Sequence, residues 1–406
     1  SGQEQCFHVR ARRLKHLLQI LVRPVELALV HVCQVLGLVG VLSAPLPWLA
    51  TLALSLQFLT SMMTTLPASL LMARFGRRPV MIAGVLISSL SSFAQAIAVL
   101  RGDFVLFCAG GMGLGVALGI ASYYRYAAAD GVPMALRPKA ISLVLAGGLA
   151  AALMGPEIAK RTVELVPGSL YAGCFFVAAA VQLISIPVLA GLKIEMPPRD
   201  TGGGRPIGVF LRMPVYLVGV VCCAIGYALM SYLMTATPLQ VVNVAKLGTS
   251  ANATIIQWHV VAMFLPSFFT GSLIARFGAF RVLWAGTAFY LASLAMALGA
   301  GGFWAGGFWA YWVALLLAGL GWNCLFVGGT SLVARVAEPI ERGRVQGFAD
   351  LMTMTTVAVA SLFAGAIHSQ FGWEALTTAA LVPVGIVAIA IAWLGLITKR
   401  QQAGAV

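Results

Sequence analysis

Twelve apolar runs of about twenty residues each succeed one another along this chain, and nothing else in it narrows the fold so far. A helix rises about 1.5 Å per residue, so a run of this length crosses the hydrocarbon core while pairing all its own backbone N–H and C=O groups. The runs lie at about 25–45, 48–72, 79–100, 104–124, 140–159, 169–192, 213–236, 253–274, 282–300, 308–330, 347–367 and 374–397. With 60% hydrophobic and 9% charged residues, the 406-residue chain matches no water-soluble domain of its size. The predicted class is therefore all-α integral membrane, with twelve transmembrane helices, and the runs are too long for barrel strands.

A net charge of +14 raises the question of nucleic acid, which the placement of the charge answers. Counted from a cytoplasmic N-terminus, 22 of the 26 Lys and Arg residues fall on the cytoplasmic side. Only Arg101, Lys160, Arg161 and Lys246 fall opposite. That asymmetry is the positive-inside signal of a multi-pass protein of the bacterial inner membrane with both termini cytoplasmic, surrounded by lipid and binding no nucleic acid. Residues 1–24 carry scattered charge without an apolar core, which predicts a cytoplasmic segment, and 398–406 read as a cytoplasmic tail. Of seven Cys, Cys33, Cys108, Cys174, Cys222, Cys223 and Cys324 all but Cys6 lie in predicted spans, so a disulfide framework is not expected.

The chain is internally duplicated. ARFGRRPVMIAG at 73–84 returns as ARFGAFRVLWAG at 275–286, 202 residues later, each after the second span of a six-span half. The Pro-, Gly- and charge-rich stretch 193–212 reads as a cytoplasmic linker between bundles at 25–192 and 213–397. The two copies resemble the loop signature of the major facilitator superfamily, Gly-x-Leu-x-Asp-Arg-x-Gly-Arg-Arg. Arg74, Gly76, Arg77 and Arg78 match in the first copy, and Gly271, Leu273, Arg276 and Gly278 in the second. Ser69 stands where the leading Gly would be, and Ala73 and Ala275 replace the Asp. The resemblance implies two six-helix bundles that rock about a central site. Arg74, Arg77, Arg78 and Arg276 would hold one face shut by pairing with carboxylates such as Asp130 and Asp350, or would simply anchor the topology.

Ionisable residues within spans point to cargo or proton paths, and few are present: Glu26, His31, Glu157 and His259. Proton coupling is not evident from them. The seventh span holds Met230-x-x-x-Met234 and the eighth His259-x-x-x-Met263, each pair on one helix face a turn apart. The two spans run in opposite directions, so both pairs fall at overlapping levels in the outer half of the membrane. Thioether and imidazole donors are neutral and select soft cations such as Cu(I), though Met is more often core filler than ligand. Cys223 shares the Met230 face, and Cys222 is turned away by roughly 80°.

Those pairs are similar to the marks of the CcoA-like copper importers of the same superfamily, which supply copper for assembly of cbb-type cytochrome c oxidase. That resemblance implies Met230, Met234, His259 and Met263 as ligands, with Cys222 or Cys223 as the accompanying thiol. It implies copper as cargo rather than any resident cofactor, a cytoplasmic copper acceptor, and a monomeric carrier with no enzymatic activity. Two alternatives remain open: a proton-coupled exporter of drugs or other organic small molecules, and a membrane thiol or metal reductase using Cys222 and Cys223. The adjacent cysteines lack the Cys-x-x-Cys spacing of redox motifs. Among weaker signals, Gly148–Pro156 reads as a helix-packing seam, and Tyr123, Tyr124, Tyr126 and Trp373 as interfacial anchors. His31 and Cys33 fall on different faces, and His8 and His16 are assigned nothing.

Overall fold

The computed structural model describes residues 36–124, 149, 154–155, 157–191, 205–301, 307–338 and 341–403. They are helical, with no strand beyond one isolated bridge between Val166 and Ser169. The chain divides into two compact units, Ser1–Arg199 and Asp200–Val406. In the first, α1 is Leu52–Phe75, α2 Arg77–Arg101, α3 Phe104–Ala121, α4 Ala172–Leu183 and α5 Ser185–Gly191. In the second, α6 is Pro214–Pro238, α7 Gly248–Phe264, α8 Ser267–Phe277, α9 Ala279–Gly301, α10 Phe308–Val336, α11 Arg342–Ala379 and α12 Leu381–Ala403.

Seven stretches among the described residues are long and apolar enough to cross a membrane, or eight if α7 and α8, bent by 40°, count as one. The longest, 344–398, holds two of the predicted spans and is broken at Gly372, where φ is 79° and ψ −173°. The predicted spans 25–45 and 140–159, with Glu26, His31, Cys33 and most of Gly148–Pro156, lie largely outside the described residues.

The duplicated motif gives duplicated backbone. Gly76 has φ 87° and ψ 159°, and Gly278 has φ 84° and ψ 152°, a region open almost only to glycine. Each closes the helix before it by donating its N–H to a carbonyl four residues back, Met72 O at 3.0 Å and Ile274 O at 2.9 Å. The chain then reverses straight into the next helix, α2 in one unit and α9 in the other.

In the first unit α3 packs against both α1 and α2. A Cβ on Gly111 would lie 2.6 Å from Ala53 O, and one on Gly115 would strike Thr60 Oγ1 and Gln57 O, so the glycines of α3 let the α1 backbone approach directly. Thr60 Oγ1 uses that approach to donate to Met112 O at 2.8 Å. Apolar contact gives little preference between helices in lipid, so close packing and such bonds set the arrangement.

In the second unit α10 is the hub, packed by α6, α7 and α9. Three tyrosines each donate to a carbonyl of another helix: Tyr216 to Val345 O at 2.9 Å, Tyr232 to Leu376 O at 3.2 Å and Tyr290 to Gly226 O at 2.6 Å. Where the chain enters α6, Phe210 and Tyr216 join Val333, Ala337, Val345 and Ala349 in a buried cluster. The Arg205 guanidinium lies over the Phe210 ring, 4.8 Å from its centroid.

Candidate functional site

The seam between α6 and α10 is built by glycine. A Cβ on Gly329 would sit 2.7 Å from Gly219 O and 2.8 Å from Cys223 Sγ, so the two backbones run in contact there. Cys222 and Cys223 are both buried in this seam, with Cys222 Cβ facing Gly329. The Cys223 thiol reaches Phe326 O and Thr330 Oγ1, each at 3.6 Å. These contacts make both cysteines packing residues of the helix pair.

Two turns further along α6, Met230 is buried and Met234 half-buried. On α7 His259 is fully enclosed and Met263 is buried. A Cβ on Gly319 of α10 would lie 2.6 Å from His259 O, so the two helices approach closely at this level. The His259 Nδ1 is 2.6 Å from Leu315 O, and since a carbonyl only accepts, Nδ1 carries the proton. Nε2 is then a lone-pair nitrogen, and it is buried without a hydrogen-bond partner. The helices bearing the Met230–Met234 and His259–Met263 pairs scarcely meet, because each packs along α10 instead. Among the described residues no three His, Cys, Asp or Glu side chains gather as a metal site, so any soft-cation site here would rest on thioethers.

Past Met263 the eighth span bends at Pro266, which has no N–H to give to the helix ladder. Asn323 of α10 spans the break, donating from Nδ2 to Met263 O at 2.8 Å and to Ser267 Oγ, while its Oδ1 accepts from Thr270. One buried amide thereby ties the bend to α10, beside the Ser267 and Thr270 hydroxyls, which donate to Met263 O and Pro266 O.

The arginines of the duplicated turn are arranged alike in both units. Arg74 lies over Phe75 and Arg276 over Phe277, each 5.2 Å from the ring centroid. Arg77 is buried and Arg78 exposed at the start of α2. Asp350 is half-buried on α11, within electrostatic reach of Tyr216, and Asp130 lies outside the described residues. Glu157, expected within a span, is half-exposed and pairs with Lys160 at 3.7 Å and Arg161 at 3.1 Å on its own helix.

Two of the expected interfacial anchors are corrected. Trp373 is 5% exposed, donates from Nε1 to Ala297 O at 2.8 Å and packs its ring on Tyr311. Tyr124 is likewise buried, while Tyr123 donates to Thr65 O at 2.8 Å and Tyr126 is outside the described residues. The Trp373 indole N–H and the Tyr123 hydroxyl thus find their partners within the protein.

Sequence reasoning missed an aromatic cluster that joins α6, α7 and α10. Trp322 stacks on Phe326 with centroids 5.0 Å apart and planes 9° apart. Tyr227 of α6 presents its ring edge-on to both, at 5.5 and 5.6 Å, and Phe264 of α7 meets Trp322 at 5.8 Å. All four lie near the middle of their spans, and Tyr227, Phe264 and Phe326 keep partial exposure. Trp322 is 6% exposed and its indole N–H, also buried, has no acceptor. The four-residue spacing of Trp322 and Phe326 was the one sequence signal of this cluster.

Residues 39–295 and 248–405 match the family profile described as the Major Facilitator Superfamily. The chain is 38% identical over 344 residues to the riboflavin transporter RfnT of Brucella anthropi, covering 84% of this chain and 85% of that one. It is 27% identical over 318 residues to the uncharacterized MFS-type transporter YddS of Bacillus subtilis, covering 73% and 72%. Among solved structures it resembles the POT family transporter PepTSo, with a TM-score of 0.73 at 11% identity over 96% of this chain and 98% of that one. The nucleoside transporter NupG follows with a TM-score of 0.66 at 15% identity, covering 93% and 98%. At such identities the structural likeness is one of fold alone.

Proposed function

Because the chain belongs to the major facilitator superfamily, and is a multi-pass membrane transporter rather than an enzyme, we propose that its cargo is a small organic solute with a planar heteroaromatic ring, riboflavin foremost. The observation that carries this reading is the 38% identity to a riboflavin transporter over more than four-fifths of both chains. The mid-span cluster of Tyr227, Phe264, Trp322 and Phe326 supports it, since flat π-systems are held by stacked and edge-on aromatic rings. The carrier would lie in the bacterial inner membrane with both termini cytoplasmic, as the distribution of its Lys and Arg residues favours.

Copper import is the second reading, and one observation favours it. His259 is locked in the tautomer whose free Nε2 suits a metal, close in sequence to Met263. Against it stand the separation of α6 from α7 by α10 and the packing of Cys222 and Cys223 into a helix seam.

Expression in bacterial cells that cannot make riboflavin separates the two. Growth on low external riboflavin and uptake of labelled riboflavin above the vector control is the expected result. Accumulation of radioactive copper in the same cells, lost in the Met230→Ala and His259→Ala variants, with no gain in riboflavin uptake, would replace the first reading by the second.

A further inference from the structure

We infer that the mid-span aromatic cluster is the cargo subsite, in which the Trp322 indole N–H donates to the acceptor edge of a flat heteroaromatic ring that stacks on Phe326 and is met edge-on by Tyr227. The inference rests on the cargo reading above and adds the site and the polar contact.

Three independent observations meet at Trp322. The first is an uncompensated donor: its N–H is buried in a membrane-crossing helix with no acceptor in reach, where nearly every such group is paired. Trp373, in the same unit, gives its N–H to Ala297 O, so the unit does satisfy an indole when the ring serves only to pack. The second is position. Trp322 lies midway along Phe308–Val336, Tyr227 near the middle of α6, and Phe264 near the middle of the bent α7–α8 span, at the depth where carriers hold their cargo. The third is shape. The Trp322 and Phe326 rings are already parallel, and Tyr227 meets both edge-on, so the cluster presents preset ring faces rather than a rotatable aliphatic surface.

The ligand chemistry follows. A ring system with carbonyl oxygens or unprotonated ring nitrogens along one edge offers acceptors to a single N–H, while its faces stack. A purely hydrocarbon ring would stack equally well and leave the indole donor unpaired, so the site favours heteroaromatics over hydrocarbons. A flavin ring has this edge, and lumichrome, which keeps the ring and lacks the sugar-alcohol chain, should retain most of the affinity.

The test is quenching of riboflavin fluorescence by the purified full-length protein in nanodiscs, with lumichrome and anthracene as comparison ligands. Trp322→Phe keeps a ring and removes the N–H, and the expected result is about a tenfold weaker affinity for riboflavin and lumichrome with anthracene unchanged. Phe326→Leu, which removes a stacking face, should weaken all three ligands by about fivefold or more. Trp258→Phe, on an exposed ring outside the cluster, serves as the control for nonspecific quenching. Wild-type binding that both cluster variants retain would overturn the subsite and leave the cargo reading standing. Absence of riboflavin binding by the wild type would overturn the cargo reading and the subsite with it.

Discussion

Arg205 and Glu341, 136 residues apart, form a two-pronged ion pair, with Nε to Oε1 and Nη2 to Oε2 both at 2.8 Å. The Arg205 backbone N–H adds a bond to Oε1 at 2.9 Å, and the Glu338 N–H one to Oε2 at 3.0 Å. Arg205 also donates to Val336 O, and so ties the segment entering α6 to the turn between α10 and α11. These donors, the Arg205 side chain above all, hold the Glu341 carboxyl down at about 2, against about 4.5 ordinarily.

A carboxylate whose pKa is lowered on folding stabilises the fold above its unfolded value and loses that contribution as pH falls through the folded one. The expected outcome is that wild-type protein unfolds at a higher temperature than Glu341→Gln near pH 7. The gap should close between about pH 4.5 and about pH 2. Thermal unfolding in detergent across that range measures it, and a gap unchanged at low pH would show that the pair has no such role.

Asn323 ties the bend of the eighth span to α10, so Asn323→Leu should lower stability by about 1–3 kcal/mol by removing its buried bonds to Met263 O, Ser267 Oγ and the Thr270 hydroxyl. Its thermal midpoint, compared with that of Ser369→Ala, where an exposed hydroxyl donates to Ala366 O of its own helix, reads the effect. A midpoint shift no larger than the Ser369 variant's would mean that other groups hold the bend.

The α6–α10 seam has no room for a side chain at Gly329. Gly329→Val should cost about 1–3 kcal/mol or more through overpacking and cut the amount of folded protein in the membrane. Cys223→Ser, by contrast, keeps a donor for Phe326 O and should preserve cargo uptake per molecule of protein. Uptake abolished in Cys223→Ser at normal protein level would return the thiol to the transport path.

Much of the architecture was written in the chain itself. The apolar runs demanded helices because lipid offers no partner for an unpaired peptide group. The repeated ARFG segments marked two equivalent turns, and Gly76 and Gly278 do adopt one shared conformation there. The pairs Met230–Met234 and His259–Met263 were also legible as faces, since the helical period fixes which residues stand above one another.

What period could not say is which helix each face meets. A helix surrounded by hydrocarbon is apolar on every side, so it lacks the polar face that orients a helix in water. Tyr227 and Trp322 are 95 positions apart in the sequence, and only the packing of α6 and α7 along α10 brings their rings to 5.5 Å. Contact with α9 and α10 buried Trp373 instead of leaving it at the membrane surface, and the approach of α6 to α10 pressed the Cys222–Cys223 pair against Gly329. Composition and repetition thus determined that the chain crosses the membrane and is duplicated. Close contact between helices, which depends on small residues and single polar bonds scattered through the sequence, decided what stands at its centre.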